Sequence, residues 1–491
     1  MDRSGGSGFI DVVGRWLGVL CAAIAVAGLC TIATETEAAD AATIWVDPSR
    51  GGDSGPGTRE RPLRSLSEAW GRLPAVATEP MRIELRAGDY RGLSPVYWEE
   101  HSGRTGSPIL IRSTDGRGRA RLPGVNIYGV SHLSFSGVRF ADGGDVIHCE
   151  RCENFTLDRV IAFGRGAQET VKVNQSRGIR ITNSTIGGAG DNAIDFVAVQ
   201  DGLIRGNLVH RAGDWCAYAK GGSVNIVVTG NHFTRCGTGG FSAGQGTGFQ
   251  FMERPWLHHE AVGMLIQGNT VTETEGAAFA VQGGFNVLVR NNVARRVGSR
   301  SHVLEALYGS RSCDGQPGDD GRTRCDQYLA EGGWGTTVID DGSNYVRIGN
   351  RHVYFVGNAI YNPWPFRSAW QHLEVQGPFG PQPGTNVPEA NATDSDLRFL
   401  GNVIWNGRRD MPIGVGSGCA PSNPTCNESQ LTRDNLFNRR QPVLRRSGIG
   451  LVKAGWTASY RRGSTPAPDW TGLPAGNAPW SSWPSADGRV R

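Results

Sequence analysis

Lysine is nearly absent from this sequence, because only Lys172, Lys220 and Lys453 are lysine among its 50 lysine and arginine residues. Arginine can serve most solvated roles of a cation, so the three lysines become candidates for chemistry that needs an amine. A strong excess of positive charge is also missing: the net charge of +4 over 491 residues excludes nucleic acid as the default partner. The 38% of hydrophobic residues are enough for a large core, which excludes a wholly disordered chain.

Several functional motifs are absent as well. The chain has no Gly-x-x-x-x-Gly-Lys loop, which excludes that nucleotide cradle, and it shows no zinc-ligand spacing. The repeated middle of the chain lacks the helical period of apolar residues, which excludes amphipathic helices there. Glycine is abundant, and its 71 residues recur at the ends of short apolar runs, which is typical of many turns and short strands.

A long uncharged run lies near the N-terminus, from Leu17 to Thr34, after Arg3 and Arg15. Small residues follow this run. The pattern predicts a signal peptide over residues 1–39, cleaved near Ala39, and therefore a secreted or periplasmic protein. An uncleaved membrane anchor is the alternative, because the run is near the lower length limit for a membrane span.

Cleavage at that point leaves eight cysteines, which fall in near neighbours along the chain. In an exported chain such pairs predict local disulfides. The Cys-x-x-Cys at 149–152 could instead serve redox or metal chemistry, although no second Cys-x-x-Cys accompanies it. The predicted pairs are Cys149 with Cys152, Cys216 with Cys236, Cys313 with Cys325, and Cys419 with Cys426.

A repeat of about 24 residues organises the middle of the chain. Each repeat holds short runs rich in Val, Ile and Phe, broken by Gly, Asn or Asp. Such a period predicts a solenoid. Because the short runs are typical of strands, the solenoid is expected to be an all-β parallel β-helix whose stacked coils bury a shared core. An asparagine recurs at a turn of each coil, where it can adopt left-handed backbone angles and bond to the asparagine of the next coil. This asparagine column comprises Asn183, Asn207, Asn231, Asn269, Asn292, Asn358 and Asn402.

With this repeat, the chain resembles the right-handed parallel β-helix proteins of the pectate-lyase-like superfamily. The segment IWVDPSRGGDSGPGTRERPLRSLSEAW looks like their N-terminal module, in which a strand, a loop and a short helix over 63–73 cap the first coil. The resemblance covers roughly residues 43–440. We therefore expect a cap over 40–80, a β-helix over 81–440, and an irregular tail over 441–491.

Two stretches interrupt the repeat, at 299–345 and 363–394. The first is a long polar insertion, and the second is rich in proline and glycine. Long excursions on a rigid scaffold usually build the functional face, so both are expected to border the site.

The segment DWCAYAKGGS carries the densest candidate site. If Ala217 and Ala219 point inward, strand alternation puts Tyr218 and Lys220 on the outer face, with Asp195 at about the same level one coil earlier. A neutral lysine can take the proton next to a uronate carboxyl, and a tyrosine can protonate the leaving oxygen. Together they perform β-elimination on an acidic polysaccharide.

Two arginines in matching contexts, Arg211 and Arg235, are expected to stack as a carboxylate clamp and to favour the neutral amine of Lys220. Lys220 before a small-residue turn is also similar to the lysine base of alginate- and pectate-type β-helix lyases. Those families pair the lysine with calcium or an arginine, whereas Gln245 stands about where that arginine is expected. A solvated lysine beside a tight turn is the alternative.

Aspartates supply a candidate calcium site. Asp191 and Asp214 each follow a glycine, 23 residues apart, and Asp195 is near. Adjacent carboxylates could hold Ca²⁺, which would neutralise the acid group of a substrate. The alternative is that each aspartate bonds the backbone at its own turn.

His259-Glu260 is a second candidate, which loosely resembles the Asp-Pro-His-Glu signature of alginate C5-epimerases. Leu257 and His258 stand where that signature has Asp-Pro, and an exposed polar loop is the alternative. Epimerisation shares its first proton abstraction with elimination, so this alternative function is chemically close.

His302, with Arg300 and Glu305, forms a third candidate at the edge of the long insertion, where a solvated polar loop is the alternative. Indole rings in the inserted segments could stack on sugar rings. These tryptophans are Trp256, Trp334, Trp364 and Trp370.

These observations predict an exported right-handed parallel β-helix that acts on an acidic polysaccharide as a lyase, with Lys220 as the base and Tyr218 or an arginine as the acid. The paired aspartates and Gly-His-Gly pattern of β-helix pectin hydrolases are missing, which argues against hydrolysis by two carboxylates. A uronate C5-epimerase and a non-catalytic glycan-binding surface protein are the alternatives. We expect a monomer, with no nucleic acid and no nucleotide as partner.

Overall fold

The computed structural model describes residues 41–453, apart from 142–144, 167, 254–257, 314–317, 336–345, 381, 383, 408–409, 416–430, 433–434 and 440. The chain divides into two units, Met1–Ala41 and Ala42–Arg491, and the described residues belong almost entirely to the second. The signal-peptide segment, Trp256 and the predicted Cys419–Cys426 pair therefore lie outside the described residues. Within the described part of the chain, no helix is long and apolar enough to cross a membrane.

Short runs of β-branched and aromatic residues form strands, and each coil of the chain contributes strands to three long parallel sheets. The first sheet, sheet 1, has 12 strands. In spatial order they are β1 (Ala42–Val46), β2 (Met81–Leu85), β5 (Ile109–Ser113), β8 (Leu133–Ser136), β11 (Thr156–Asp158), β14 (Arg180–Thr182), β17 (Gln200–Arg205), β20 (Ser223–Thr229), β24 (Ala261–Gln267), β27 (Gly284–Arg290), β32 (Arg351–Val356) and β35 (Ser395–Leu400).

Sheet 2 has 10 strands and carries the candidate site. They are β4 (Tyr97–Trp98), β7 (Val125–Tyr128), β10 (Ile147–Glu150), β13 (Val171–Asn174), β16 (Ile194–Val197), β19 (Trp215–Lys220), β22 (Gly239–Ala243), β26 (Ala277–Gln282), β29 (Leu304–Leu307) and β34 (Leu373–Val375).

Sheet 3 has 12 strands, and the chain reaches it between sheets 1 and 2 of each coil. They are β3 (Gly88–Asp89), β6 (Ala120–Leu122), β9 (Arg139–Ala141), β12 (Ile161–Phe163), β15 (Thr185–Gly187), β18 (Leu208–His210), β21 (His232–Thr234), β25 (Thr270–Thr274), β28 (Val293–Val297), β33 (Ala359–Asn362), β36 (Val403–Asn406) and β37 (Leu436–Phe437).

Smaller elements lie outside these three sheets. A three-stranded sheet joins β23 (Gly246–Gly248), β30 (Gly309–Ser312) and β31 (Val346–Ile348), and β38 (Leu444–Ser447) pairs with β39 (Gly450–Lys453) as an antiparallel hairpin. Among the described residues, the helices with defined bounds are α1 (Leu66–Gly71) and α2 (Asp320–Ala330), with 3-10 turns at Phe249–Phe251 and Glu389–Asn391.

The core lies inside the coils, where every second side chain of a strand points inward. In sheet 1, Ile83, Ile111, Phe135, Leu157 and Ile181 are partners on successive strands, and all five are fully buried. Burial of each such side chain contributes about 1.5–3 kcal/mol. The apolar columns therefore hold each coil on the next and fix the register of the outward residues.

The predicted asparagine ladder is present from Asn207 onward. The side-chain amide of each member donates to the side-chain oxygen of the next at 2.8–3.0 Å, and all members are buried. The members are Asn207, Asn231, Asn269, Asn292, Asn358, Asn402 and Asn435.

The inclusion of Asn183 in this column was wrong by one residue. Its neighbour Ser184 takes the ladder position and donates its backbone N–H to Asn207 Oδ1 (2.8 Å), whereas Asn183 bonds outward to Asp158. Asn183 has a φ of +52° and corresponds to Gly206, with a φ of +67°. The left-handed conformation thus belongs to the residue before the ladder position, where glycine or asparagine is favoured.

Three of the four predicted disulfides are confirmed: Cys149–Cys152, Cys216–Cys236 and Cys313–Cys325. The second joins two coils, since Cys216 lies on β19 and Cys236 follows β21. The third ties α2 to the end of β30.

The inserted segments and the tail contain regular structure. Residues 299–345 include β29 and α2, and residues 363–394 include β34, so both segments add a strand to sheet 2. The start of the tail forms the β38–β39 hairpin, in which Leu451 N donates to Thr270 Oγ1 (2.6 Å). The inserted strands extend sheet 2 beyond β26, because β29 pairs with β26 and β34 pairs with β29.

Candidate active site

The outward face of sheet 2 places the predicted residues next to one another. Ala217 and Ala219 are fully buried, so Tyr218 and Lys220 face outward at the end of β19 as predicted. The strand register pairs Asp195 of β16 with Tyr218. Neighbouring strands are about 4.8 Å apart, so these side chains are immediate neighbours.

Two of the chain's three lysines line the same cleft, which has a volume of about 590 Å³. Lys172 of β13 is the strand partner of Asp195, and Lys220 lies two residues beyond Tyr218 on the same outward face. Lys220 Nζ donates to Gln245 Oε1 (2.9 Å) and lies 4.6 Å from the centre of the Tyr218 ring. Lys172 was not a predicted site residue, although its spacing of 23 residues from Asp195 would have identified it.

Asp195 and Tyr218 form a buried proton-carrying pair. Burial raises the pKa of Asp195 to about 7, against the opposing influence of the Lys220 ammonium. Burial, and then the adjacent Asp195 carboxylate, raise the pKa of Tyr218 far above its ordinary value. Tyr218 therefore keeps its phenolic proton, and Asp195 exchanges its own proton near neutral pH.

Lys172 is held by carboxylates on its other side. Its Nζ donates to Glu169 Oε1 (3.3 Å), and although burial lowers the pKa of Lys172, Glu169, Asp195 and Asp145 raise it overall. Burial, and then Glu169, raise the pKa of Asp145 to about 6. Lys172 is therefore a fixed ammonium in the cleft, where Glu169 already pairs with it.

A buried ion pair supports the turn that follows Lys220. Glu260 accepts hydrogen bonds from Gly221 N (3.0 Å) and Thr247 Oγ1 (2.5 Å), and Arg311 Nη2 donates to Glu260 Oε1 at 2.6 Å. Both ion-pair side chains are fully buried. Glu260 and Arg311 thus position Lys220, and no local sequence pattern predicts a pairing of residues 51 positions apart.

The topology and the sequence agree on the fold. Three long sheets with parallel strands wind around one core, and the family description "right handed beta helix region" matches residues 119–253. The chain is a right-handed parallel β-helix. The predicted all-β parallel β-helix is therefore confirmed, and so is the resemblance to right-handed β-helix proteins.

Solved structures with a similar β-helix include a rhamnogalacturonan lyase, at 12% identity and a TM-score of 0.43, covering 74% of this chain and 87% of that one. The A-module of a mannuronan C-5 epimerase from Azotobacter vinelandii is 13% identical, with a TM-score of 0.43, over 74% of this chain and 92% of that one. An alginate lyase from Paenibacillus sp. str. FPU-7 is 14% identical, with a TM-score of 0.40, over 72% of this chain and 95% of that one. No curated protein matches the sequence significantly. At these identities the likeness concerns the fold alone.

The predicted arginine clamp is not part of the cleft, and this placement corrects the expectation. Arg211 and Arg235 stack as predicted, since Arg211 N donates to the carbonyl of Thr234 and both have a φ of +59°. They follow strands of sheet 3, however, and Arg235 pairs with Glu273 (3.0 Å). Both arginines lie in the turns that lead from sheet 3 to sheet 2, and neither lines the Lys220 cleft.

His259 does not line the Lys220 cleft either. Its ring packs against Phe285 and Trp334 in the interior, and burial lowers the pKa of His259 to about 3, so it stays neutral. Trp334 stacks on His258 with ring centres 4.4 Å apart. His259, a predicted catalytic residue, and Trp334, a predicted sugar platform, therefore pack against each other, with His259 buried and Trp334 half-buried.

The predicted calcium ligands do not converge. Asp214 N donates to the Asp191 carbonyl (3.0 Å), which confirms that these residues stack, but Asp191 and Asp195 line the cleft while Asp214 does not. Both lysine ammonium groups act on the Asp191 and Asp195 carboxylates. With the two lysines beside these carboxylates, the donor set does not fit a calcium ion.

His302 and Glu305 are buried, with 5% and 6% of their surfaces exposed, instead of forming a solvated loop. Glu374 of β34 joins them, whereas Arg300 points away to the exposed Glu275. Burial lowers the pKa of His302, but Glu305 and Glu374 outweigh that effect and raise it to about 9. The cluster borders a second cleft of about 430 Å³ on sheet 2, and no spacing signal links Glu374 to His302.

Proposed function

We propose that the Lys220 cleft cleaves an acidic polysaccharide by β-elimination at a uronate residue. The observation that carries the proposal is that Lys172 and Lys220 share one cleft in a chain that uses arginine almost everywhere else. An arginine could supply the charge at either position but could not serve as a base near neutral pH. The outward Tyr218 and the buried Asp195 beside Lys220 supply the remaining proton chemistry.

The reaction needs no water and no redox partner. Lys220 first loses its ammonium proton to solvent, and its neutral Nζ then removes the proton from the carbon next to the uronate carboxyl. The electron pair forms a carbon–carbon double bond as the glycosidic carbon–oxygen bond breaks. Tyr218 donates its proton to the leaving oxygen, and Asp195, whose pKa is about 7, returns a proton to Tyr218.

Lys172 and Phe251, which line the cleft, bind the substrate. The Lys172 ammonium takes the role that the sequence assigned to Arg211 and Arg235, because a cation beside the uronate carboxylate favours loss of the neighbouring proton. Phe251 lines the same cleft and is 50% exposed, so its ring can stack on a sugar.

The test is the ultraviolet absorbance of unsaturated products on a panel of uronate polymers. We expect a rise with the wild type and a loss of at least about 100-fold with Lys220→Arg, which keeps the charge but removes the base. Arg235→Ala is the matched control and should leave the rate unchanged, because Arg235 lies outside the cleft.

An equal rise with Lys220→Arg would refute Lys220 as the base. Exchange of solvent deuterium into the polymer without absorbance would instead indicate C5-epimerisation, which shares the proton abstraction. Absence of both would leave a glycan-binding protein, an alternative favoured by the exposed rings of Phe251, Trp364 and Trp370.

Export remains part of the proposal. Three disulfides are typical of a protein that folds in an oxidising compartment, which supports secretion or a periplasmic location.

A further inference from the structure

A second cluster of chemically active side chains lies on the same face of sheet 2. Glu305 of β29 is the strand partner of Glu374 on β34, and His302 comes just before β29. The cluster lies three strands from Tyr218, through Ser242 and Ala280. It is separate from the Lys220 cleft and plays no part in the proposed elimination.

The three side chains converge on one point. His302 Nδ1 is 3.0 Å from Glu374 Oε2 and 3.7 Å from Glu305 Oε1, and one ligand atom from each residue lies within 4.8 Å of the others. Two donors about 2.1 Å from one tetrahedral ion are about 3.4 Å apart, which lies between these two distances. In the described part of the chain, no other group of three such side chains meets this spacing.

Neighbouring side chains orient these donors. His302 Nε2 donates to Gln371 Oε1 (2.7 Å), because an amide oxygen can only accept, and this contact turns Nδ1 toward the two glutamates. Ser301 Oγ donates to Glu305 Oε1 (2.6 Å). Outer hydrogen bonds of this kind fix ligand orientation in protein metal centres.

We propose that His302, Glu305 and Glu374 bind a divalent transition-series cation, for which Zn²⁺ is the probe. One imidazole nitrogen with two carboxylates suits such an ion, whereas calcium prefers a larger shell made of oxygen alone. The ion replaces the proton of Nδ1 and is neutralised by the two carboxylates. Gln371, His302 and Glu374 line the second cleft, from which water can complete the coordination shell.

The test is isothermal titration calorimetry with Zn²⁺ on the chelator-treated full chain. We expect one ion per chain and a loss of affinity of at least about tenfold with Glu374→Gln, which keeps the shape of the side chain. Glu275→Gln is the control, because Glu275 is an exposed carboxylate that pairs with Arg300 next to the cluster. The control should bind as the wild type does.

A second variant keeps the test valid if the first is unstable. Glu305→Gln should weaken binding in the same way, and thermal unfolding without metal checks that each variant is folded. The visible spectrum of bound Co²⁺ should change in either variant. Failure of the wild type to bind Zn²⁺, or equal affinity in wild type, Glu374→Gln and Glu305→Gln, would overturn the proposal.

Discussion

Asp195 has 2% of its surface exposed, although it lies between the charged side chain of Lys172 and the phenol of Tyr218. One of its carboxyl oxygens, Oδ1, has no hydrogen-bond partner. Burial raises the pKa of Asp195 to about 7, so the folded protein keeps a proton that the unfolded chain has already lost. A buried carboxyl group with a raised pKa lowers the free energy of unfolding as the pH rises. Such groups are typical of catalytic sites, where the proton is used in the reaction.

Asp195→Asn should therefore stabilise the protein in a pH-dependent way. Between about pH 4 and pH 7 the folded state binds one more proton than the unfolded state, so wild-type stability falls as the pH rises, by up to about 4 kcal/mol. Asparagine resembles the protonated acid and does not titrate. Thermal or denaturant unfolding at pH 4.5 and pH 8 should show the advantage of the variant growing with pH, while elimination slows.

The exposed Asp326 provides the control for this experiment. Asp326→Asn should differ from the wild type by the same small amount at both pH values. An Asp195→Asn advantage that does not change with pH would show that Asp195 is ionised in the folded protein.

At the scale of the element, the coil turns carry two adjacent positions with different demands. The first position needs a left-handed backbone, as at Asn183 and Gly206. The position after it points into the solenoid and carries a side-chain amide from Asn207 onward. Asn269 shows the second demand: its Nδ2 donates to Val228 O and to Asn292 Oδ1, and its Oδ1 accepts from Asn231. Removal of a buried amide leaves several partners unsatisfied at about 1–3 kcal/mol each.

Asn269→Ala should accordingly destabilise the protein by several times more than Asn183→Ala. The first substitution breaks the ladder in the buried interior, with a cost of about 3–5 kcal/mol. The second forfeits one exposed hydrogen bond and places alanine at a positive φ, with a cost of about 1–2 kcal/mol. Denaturant unfolding measures both, and equal costs would contradict the assignment of Asn183 to a position outside the ladder.

At the scale of the whole molecule, one outward column of sheet 2 runs through both clefts. Lys172, Asp195 and Tyr218 occupy three successive strands, and Glu305 and Glu374 occupy two strands at the far end. Tyr218 and Glu305 are three strands apart, which corresponds to about 14 Å. Sites at this distance without shared partners behave independently.

Lys220→Ala should therefore leave Zn²⁺ affinity within about twofold of the wild type, whereas the proposed mechanism requires it to abolish elimination. Calorimetry on the variant measures this. A larger change in affinity would show that the two clefts are coupled through sheet 2. The comparison also separates the two proposals, because either can fail while the other holds.

The amino-acid sequence by itself determined what repeats. Residues spaced by one coil must occupy the same column, so the sequence predicted the β-helix, the asparagine ladder, three local disulfides, and the placement of Tyr218 and Lys220 beside Asp195. The same rule applied to Lys172 would have completed the cleft.

Only the tertiary structure decided what lies between the repeats. Glu374 contacts His302 from a different inserted segment, and Arg311 contacts Glu260 from the small three-stranded sheet, so no periodic spacing encodes either contact. Arg211 and Arg235 stack as their spacing requires, yet the turn between sheets sets which face they occupy. Coil period fixes the position of a residue along the solenoid, whereas its side of the solenoid depends on turn geometry and on packing between distant segments.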